Sequence, residues 1–258
     1  MSRIFEGKIA AISGGLGDIG RATAISFAQR GAHVAICDIQ SPSEAKDWLN
    51  TMKSLGVEAR YHQVDVSRSD EVHNWLESVE QELGTPSLIV ANAATATMKD
   101  MNRITTREWD REIQVNLNGT FYMVQDASRR LVKQEKSGRI VLVGSWAGHV
   151  VHSHIPAYSV SKAAVRMLCK CLALELAPHG ILVNEVAPGF VDAGLSGRIW
   201  AKQPGLKEES LRRVPIQKIM SPKAVAEQII YLCHPDNDQM TGSTLLMDGG
   251  LSLNASFE

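Results

Sequence analysis

Apolar residues along this chain follow two rhythms. Short β-rich runs at 8–13 (KIAAIS), 33–37 (HVAIC), 58–63, 87–91, 139–143 and 182–186 predict strands. Between them, apolar positions recur at helical spacing over 19–30, 43–55, 70–83, 106–113, 117–134 and 157–177. The first two of these helices stop at Gly31 and Gly56, the residue type that most easily leaves a helix. Runs such as IVLV at 140–143 have the continuous β-branched character of a strand buried on both faces. Regular alternation of strand and helix predicts a parallel sheet covered by helices on both sides, a three-layer α/β arrangement. The stretch 193–221 breaks the rhythm with Gly, Pro and charged residues and no clear strand. A strand-like run at 244–247 still follows it, so it is expected to be an insertion over a site rather than a linker. No internal repeat, low-complexity tract or domain boundary is visible, and residues 1–258 are expected to form one domain.

Composition narrows the function classes. Of the 258 residues 44% are apolar and 21% charged, with a formal net charge of −1 and no long run of one sign. Nothing in that balance points to nucleic acid or an anionic membrane surface. No apolar run is long enough to span a bilayer and no leader pattern opens the sequence, so the expectation is a soluble cytoplasmic protein. Cys37, Cys169, Cys171 and Cys233 form no Cys-x-x-Cys pair and are read as buried, reduced thiols.

After the first strand comes Ser13-Gly14-Gly15-Leu16-Gly17-Asp18-Ile19-Gly20, which contains Gly15-x-Gly17-x-x-Gly20 between a strand and a helix. In that setting glycines let the backbone turn tightly and approach a pyrophosphate, while the helix N-terminus offers free N–H groups and a positive dipole end. Asp38 ends the second strand, 18 residues after Gly20. There a carboxylate accepts hydrogen bonds from an adenosine ribose and repels a 2′-phosphate, which argues for NAD over NADP.

Tyr158 and Lys162, four residues apart in a helical pattern, share one helix face. A phenol titrates near 10, and a nearby ammonium favours the phenolate. Bringing it to neutrality takes roughly 4 kcal/mol, for which a close Lys and the positive ring of an oxidised nicotinamide are the available sources.

These residues do not stand alone. Asn92-Ala93-Ala94 follows the fourth strand, Asn116 lies in Val-Asn-Leu-Asn-Gly-Thr-Phe, and Ser145 ends the fifth strand thirteen residues before Tyr158. Val183-Asn184, Pro188-Gly189, Thr241-Gly242 and Asp248-Gly249-Gly250 follow in order. With these motifs the chain, from about residue 7 to 253, resembles the short-chain dehydrogenases/reductases of the single-domain kind. The resemblance implies a Rossmann-like doubly wound sheet of about seven strands and a nicotinamide-dependent oxidoreductase. Tyr158 would be the general acid/base, Lys162 would lower its pKa and hold the nicotinamide ribose, and Ser145 would hydrogen-bond the substrate oxygen. Asn116 would hold a water linking Lys162 to solvent. Gly14, Gly17, Asp18, Ile19 and Gly20 would form the phosphate loop, and Asp65 and Val66 would flank the adenine. Asn92 and Ala93 would line the cofactor channel, and Pro188, Gly189 and Val191 would hold the nicotinamide end. The family's tetramers imply a homo-oligomer, tetramer or dimer, with faces supplied by the helices near 106–134 and 157–177.

The chain departs from the family pattern in places. Asp18 stands where this branch has its middle glycine, Ala94 where glycine is usual, and Ala193 where a threonine often contacts the nicotinamide carboxamide. Asp18 is expected to point outward, leaving the N–H groups of Asp18 and Ile19 toward the phosphates. His149, His152 and His154 cluster after Ser145, and His152 is taken as a polar substrate contact. No carboxylate or Cys pattern accompanies them, so no metal site is expected. Trp146 and Trp200 are candidates for the pocket wall or for ordinary packing. A hydrolase is disfavoured because no Gly-x-Ser-x-Gly elbow is present. A non-catalytic NAD-binding sensor or scaffold has no need of Asn116, Ser145, Tyr158 and Lys162 together. The expected substrate is a small, polar alcohol or ketone (sugar, polyol or secondary alcohol), with 3-oxoacyl thioester reduction as the rival.

Overall fold

The computed structural model describes residues 3–203 and 205–253, with all their side chains except those of residues 195 and 198. Seven strands form one sheet: β1 (Ile9–Ser13), β2 (His33–Asp38), β3 (Ala59–Gln63), β4 (Leu88–Ala91), β5 (Gly138–Val143), β6 (Ile181–Pro188) and β7 (Thr244–Met247). Their order across the sheet is β3-β2-β1-β4-β5-β6-β7, every pair parallel. This is the Rossmann-like three-layer α/β fold.

Strand side chains alternate between two cores. Ile9 and Ala11, Ile89 and Ala91, Ile140 and Leu142, and Ile181 and Val183 face one side. They pack there against α3 (Ser69–Glu82), α5 (Gly119–Lys133) and α6 (Pro156–Leu176). Ala10 and Ile12, Val34 and Ile36, and Val141 and Val143 face the other side, against α1 (Asp18–Ala28), α2 (Lys46–Ser54) and α9 (Pro222–Cys233). Burial on both faces is why central strands such as β1, β4 and β5 read as apolar runs, whereas the edge strand β3 is polar and half-buried.

Three elements differ from the sequence expectation. The helix predicted over 43–55 opens as a 3₁₀ turn, Pro42–Ala45, before α2, because Pro42 and the short polar residues around it suit a tight first turn. The helix predicted over 117–134 begins as a π turn, Gln114–Asn118, that joins α4 (Thr106–Ile113) to α5 and places Asn116 at the junction. The stretch 193–221, read as an insertion without a clear strand, carries two helices, α7 (Gly194–Lys202) and α8 (Leu206–Arg213). Gly194, Gly197 and Gly205 obscured their period. The helix α9, which the periodic reading passed over, starts at Ser221, whose side chain accepts from the Ala224 N–H, with Pro222 in its first turn.

The sheet changes direction between β1 and β4. Beyond the carboxyl ends of β1, β4, β5 and β6 lies a cleft of about 530 Å³ whose walls include Gly14, Asp38, Asn92, Ser145, Tyr158 and Gly189. A crevice at such a switch point is where open α/β sheets bind ligands.

Candidate active site

The cleft's floor is the glycine loop. Gly14 has φ +63°, a left-handed conformation that favours glycine. A Cβ on Gly15 would lie 2.3 Å from the Ile36 side chain, and one on Gly20 would lie 2.2 Å from the Gly14 carbonyl oxygen. Gly17 is exposed and its Cβ would meet only the Gly14 carbonyl, at 3.3 Å. The demand for glycine therefore falls on Gly14, Gly15 and Gly20. Gly17 is the N-cap of α1, which has no side-chain cap, and its first-turn residues Asp18 and Ile19 line the cleft, where free helix N–H groups favour negative charge.

Asp38 ties β2 to this loop. Its Oδ2 accepts from the Leu16 N–H at 3.0 Å, while Oδ1 has only the Gln40 N–H and side-chain amide, at 3.3 and 3.4 Å. Oδ1 thus faces the cleft wall beside Ile39 and Gln40; the cations among the described lining residues are Arg111, which is paired with Asp65, and Lys162 at the far end. Asn92 braces the loop from β4, donating to the Ser13 and Gly14 carbonyls at 3.0 Å each. Asp65 and Val66 border the same end. Burial alone would push the Asp65 carboxyl up, but hydrogen bonds from Ser67 and Arg111 hold it below its usual range. Asp18 is exposed, as expected, and also accepts from the Gly194 N–H at 2.9 Å, linking the glycine loop to the start of α7.

At the other end stand Ser145, Tyr158 and Lys162. Ser145 follows β5 and caps the 3₁₀ turn Trp146–Gly148; its Oγ accepts from the Ala147 N–H at 3.2 Å, leaving its own O–H to donate. Tyr158 and Lys162 lie one turn apart on α6, with the ammonium 5.6 Å from the phenol ring centre. Lys162 is buried and donates to the Val143 carbonyl at 2.7 Å. Burial pulls its ammonium down to about 8, against the pull of Glu185 in the other direction. Burial also raises the Tyr158 phenol above its usual value, Ser145 offsets part of that, and Glu112 adds to it. The residues of the chain by themselves therefore keep Tyr158 protonated.

Asn116 lies behind the wall. Its Oδ1 accepts from the Thr95 N–H at 2.8 Å, and its Nδ2 donates to the Thr95 carbonyl at 2.9 Å and to Ser161 Oγ at 3.0 Å. Its side chain is fully engaged, locking the segment after β4 to α6. Pro188, Gly189 and Val191 line the cleft after β6, and a Cβ on Gly189 would press on Asp248 at 2.8 Å. Ala93 and Ile19 also line it.

His152 faces the cleft, edge-on to Trp146 at 5.7 Å between ring centres, and Trp146 in turn meets Phe190 at 5.5 Å. Burial first, then Arg213 and His154, hold the His152 imidazole below its usual value, so the ring is neutral near neutral pH. His149 does not line the cleft, and no metal-binding group of His, Cys, Asp or Glu is assembled among the described residues. Trp200 packs on Phe190, 6.2 Å between ring centres, and donates to Ser210. Thr95, Met98, Ile155, Phe190 and Ile199 complete the wall and were not singled out in the sequence. Phe190, directly after Pro188-Gly189, was the legible one. Two buried carboxylates, Glu112 and Glu185, also escaped notice; a glutamate inside the strand run at 182–186 was the available signal.

The comparisons agree with this geometry. The sequence profile described as "Enoyl-(Acyl carrier protein) reductase" matches residues 15–252. The chain belongs to the short-chain dehydrogenase/reductase family. It is 31% identical to the 2,3-dihydro-2,3-dihydroxybenzoate dehydrogenase of Bacillus subtilis, over 96% of this chain and 97% of that protein. It is 32% identical to the 3-oxoacyl-[acyl-carrier-protein] reductase FabG of Thermotoga maritima, over 95% of this chain and 98% of that one. Among solved structures, an NAD+-bound xylitol dehydrogenase superposes with a TM-score of 0.89 at 27% identity, covering 95% of this chain and 99% of that one. As a member of this family the protein is an oxidoreductase acting on CH–OH groups with a nicotinamide cofactor. No described helix is long and apolar enough to cross a membrane.

Proposed function

We propose that this protein is an NAD-dependent dehydrogenase/reductase of a small hydroxylated compound, a sugar, polyol or secondary alcohol. The observation that carries the reading is the convergence of Ser145, Tyr158 and Lys162 at one end of the cleft whose other end is the glycine loop and Asp38. The cradle fits a dinucleotide: Gly14, Gly15 and Gly20 bring backbone against the N-terminus of α1, where a side chain would intrude. Asp38 Oδ1 suits a ribose hydroxyl and opposes a 2′-phosphate, which supports NAD over NADP.

A nicotinamide held at Pro188, Gly189 and Val191 would supply the hydride acceptor or donor for the carbinol carbon. Oxidation asks of the chain that Tyr158 take the hydroxyl proton, and reduction that it return one. Ser145 donates its O–H to the substrate oxygen and stabilises charge there. Lys162, one turn from Tyr158 with its ammonium 5.6 Å from the ring centre, would favour the phenolate when charged, against the burial that raises the phenol. Asn116 maintains the wall through Thr95 and Ser161.

The wall beyond these groups supports the substrate class. Trp146 and Phe190 offer flat apolar surface to the C–H face of a compact ring or chain, and the neutral His152 offers one polar contact. The relative acting on a cyclic dihydrodiol and the structure of a xylitol dehydrogenase are in keeping with that chemistry. The rival is a 3-oxoacyl thioester, as for FabG. Residues 1–258 are read as one domain that binds cofactor and substrate together, with 193–221 over the substrate end. Four unpaired thiols are in keeping with a cytoplasmic setting. The exposed line Val160, Met167 and Leu174 on α6, with Phe121 on α5, and the open edge of β7 with Leu246 are in keeping with a homo-oligomer, tetramer or dimer.

Steady-state turnover with NAD and NADP over sugars, polyols, secondary alcohols and 3-oxoacyl thioesters tests the reading. NAD-linked oxidation of a polyol or sugar that Tyr158→Phe abolishes is the expected result. Turnover confined to 3-oxoacyl thioesters with NADPH, or none with any alcohol or ketone despite NAD binding, would refute it.

A further inference from the structure

Glu185 sits where a strand core usually holds a small or apolar residue. It follows Ile181 and Val183 on the face of β6 that packs under α6 and is 1% exposed. Its Oε2 accepts from Thr244 Oγ1 at 2.6 Å, whereas Oε1, equally buried, has no hydrogen-bond partner. An ionised carboxyl in such a place is costly unless cations face it.

Cations do face it. α6 carries Lys162, Arg166 and Lys170, one turn apart, whose positive charges each pull this carboxyl down, although none of them forms an ion pair with it. The Cys169 thiol on the same helix is pushed up to about 12, by burial first and by Glu185 second. The carboxylate also lies over the backbone of the reaction centre: a Cβ on Gly144 would fall 1.8 Å from Oε1. Gly144 stands between Val143, whose carbonyl receives the Lys162 ammonium at 2.7 Å, and Ser145. Carboxylate and ammonium therefore flank one short stretch of backbone. Glycine at 144 leaves the room that the carboxylate fills.

We propose that Glu185 is a positioning residue that keeps Lys162 charged and held at Val143, and through Lys162 sets the acidity of Tyr158. This rests on the acid–base role given to Tyr158 above. Burial pulls Lys162 down to about 8, and Glu185 is the acidic group opposing that pull. A lysine that lost its proton near neutral pH would no longer favour the phenolate. The other charged group facing Tyr158 is Glu112, which raises the phenol and is left in place by the test. Burial leaves the Glu185 carboxyl raised above its ordinary value, and the Thr244 hydroxyl and the three α6 cations offset only part of that rise.

Glu185→Gln tests this, because glutamine has the same shape and keeps an oxygen for Thr244. Tyr158 ionisation is read without any substrate, as the ultraviolet phenolate signal lost on Tyr158→Phe, in the wild-type and Glu185→Gln backgrounds. Tyr158 is expected to ionise about one pH unit higher in Glu185→Gln, which is about tenfold less phenolate at a given pH. The acid limb of kcat/KM for alcohol oxidation is expected to move the same way. Thr244→Val keeps the carboxylate but removes its hydrogen bond, and should give a smaller shift in the same direction. An unchanged or lowered Tyr158 titration in Glu185→Gln overturns the proposal. If Glu185→Gln does not fold, an unshifted titration in Thr244→Val overturns it and an upward shift supports it. A chain that shows the upward shift yet turns over no alcohol or ketone supports the proposal and refutes the functional reading instead.

Discussion

Asp38 does two jobs that substitution can separate. Oδ2 receives the Leu16 N–H at 3.0 Å and so holds the glycine loop, whereas Oδ1 faces the cleft with only long contacts to Gln40. In Asp38→Asn the amide oxygen can still serve Leu16, but the charge is gone. A hydrogen bond to a charged group contributes about 1.5–3 kcal/mol. Its loss at the ribose should weaken NAD binding about 10- to 150-fold. Removing the negative charge also relieves repulsion of a 2′-phosphate, so the NAD-to-NADP preference should fall by more than the loss in NAD affinity alone. Asp38→Ala should share the binding loss and additionally leave the buried Leu16 N–H without its acceptor. That second cost is about 1–3 kcal/mol, and each kcal/mol lowers Tm by about 2–4 °C in a chain of this size. Calorimetric Kd values for NAD and NADP with all three proteins, beside their melting curves, provide the assay. The reasoning is refuted if the wild type binds NADP more tightly than NAD, or if Asp38→Asn leaves the ratio unchanged.

Four further outcomes follow from the same geometry. Tyr158→Phe should cut kcat by about 10²–10⁴ while leaving the NAD Kd nearly unchanged; retained turnover would remove Tyr158 from the proton path. Gly20→Ala, whose Cβ would strike the Gly14 carbonyl at 2.2 Å, should weaken NAD binding at least about tenfold and lower Tm, whereas Gly17→Ala, with its nearest contact at 3.3 Å, should do little in the same titrations. Lys162 in the folded chain loses its proton near 8, below its ordinary 10.5, so the native state binds fewer protons than the unfolded one between these values. Stability should therefore rise with pH across that window, and urea titrations of Lys162→Met should lose this component. Glu108 is held down to about 2, chiefly by Lys99 and then by its capping box with Thr105. The support it gives the start of α4 is present above its ordinary value of 4.5 and lost as pH falls from there toward 2, and Glu108→Gln should flatten that acid dependence in hydrogen exchange of the first turn of α4.

How much of this was legible follows from what each feature depends on. Strands such as 140–143 came through because a central strand of a parallel sheet is buried on both faces and reads as a continuous apolar run, whereas 182–186 carries Asn184 and Glu185 within its run. The glycine loop, Asp38, Ser145, Tyr158 and Lys162 were legible because tight backbone approach and proton transfer each admit few residue types at fixed local spacing. The helices α7 and α8 were not: Gly194 and Gly197 interrupt the period of α7, and α8 is short and buries no residue, so it carries no apolar stripe to read. Asn116 was legible as a site residue, yet its partners Thr95 and Ser161 come from two other segments.

The sequence by itself determined the class of fold and marked the glycine loop and the Tyr158–Lys162 pair as the candidate cofactor and proton-transfer sites. Those are properties of local spacing and of hydrophobic period along one segment. Only the tertiary structure decided which glycines are obligatory, that Asp38 divides its two oxygens between loop and cleft, and that Glu185 and Gly144 fit together beneath Lys162. These depend on distances between strands far apart in sequence, and a buried charge takes its meaning from neighbours that only folding supplies.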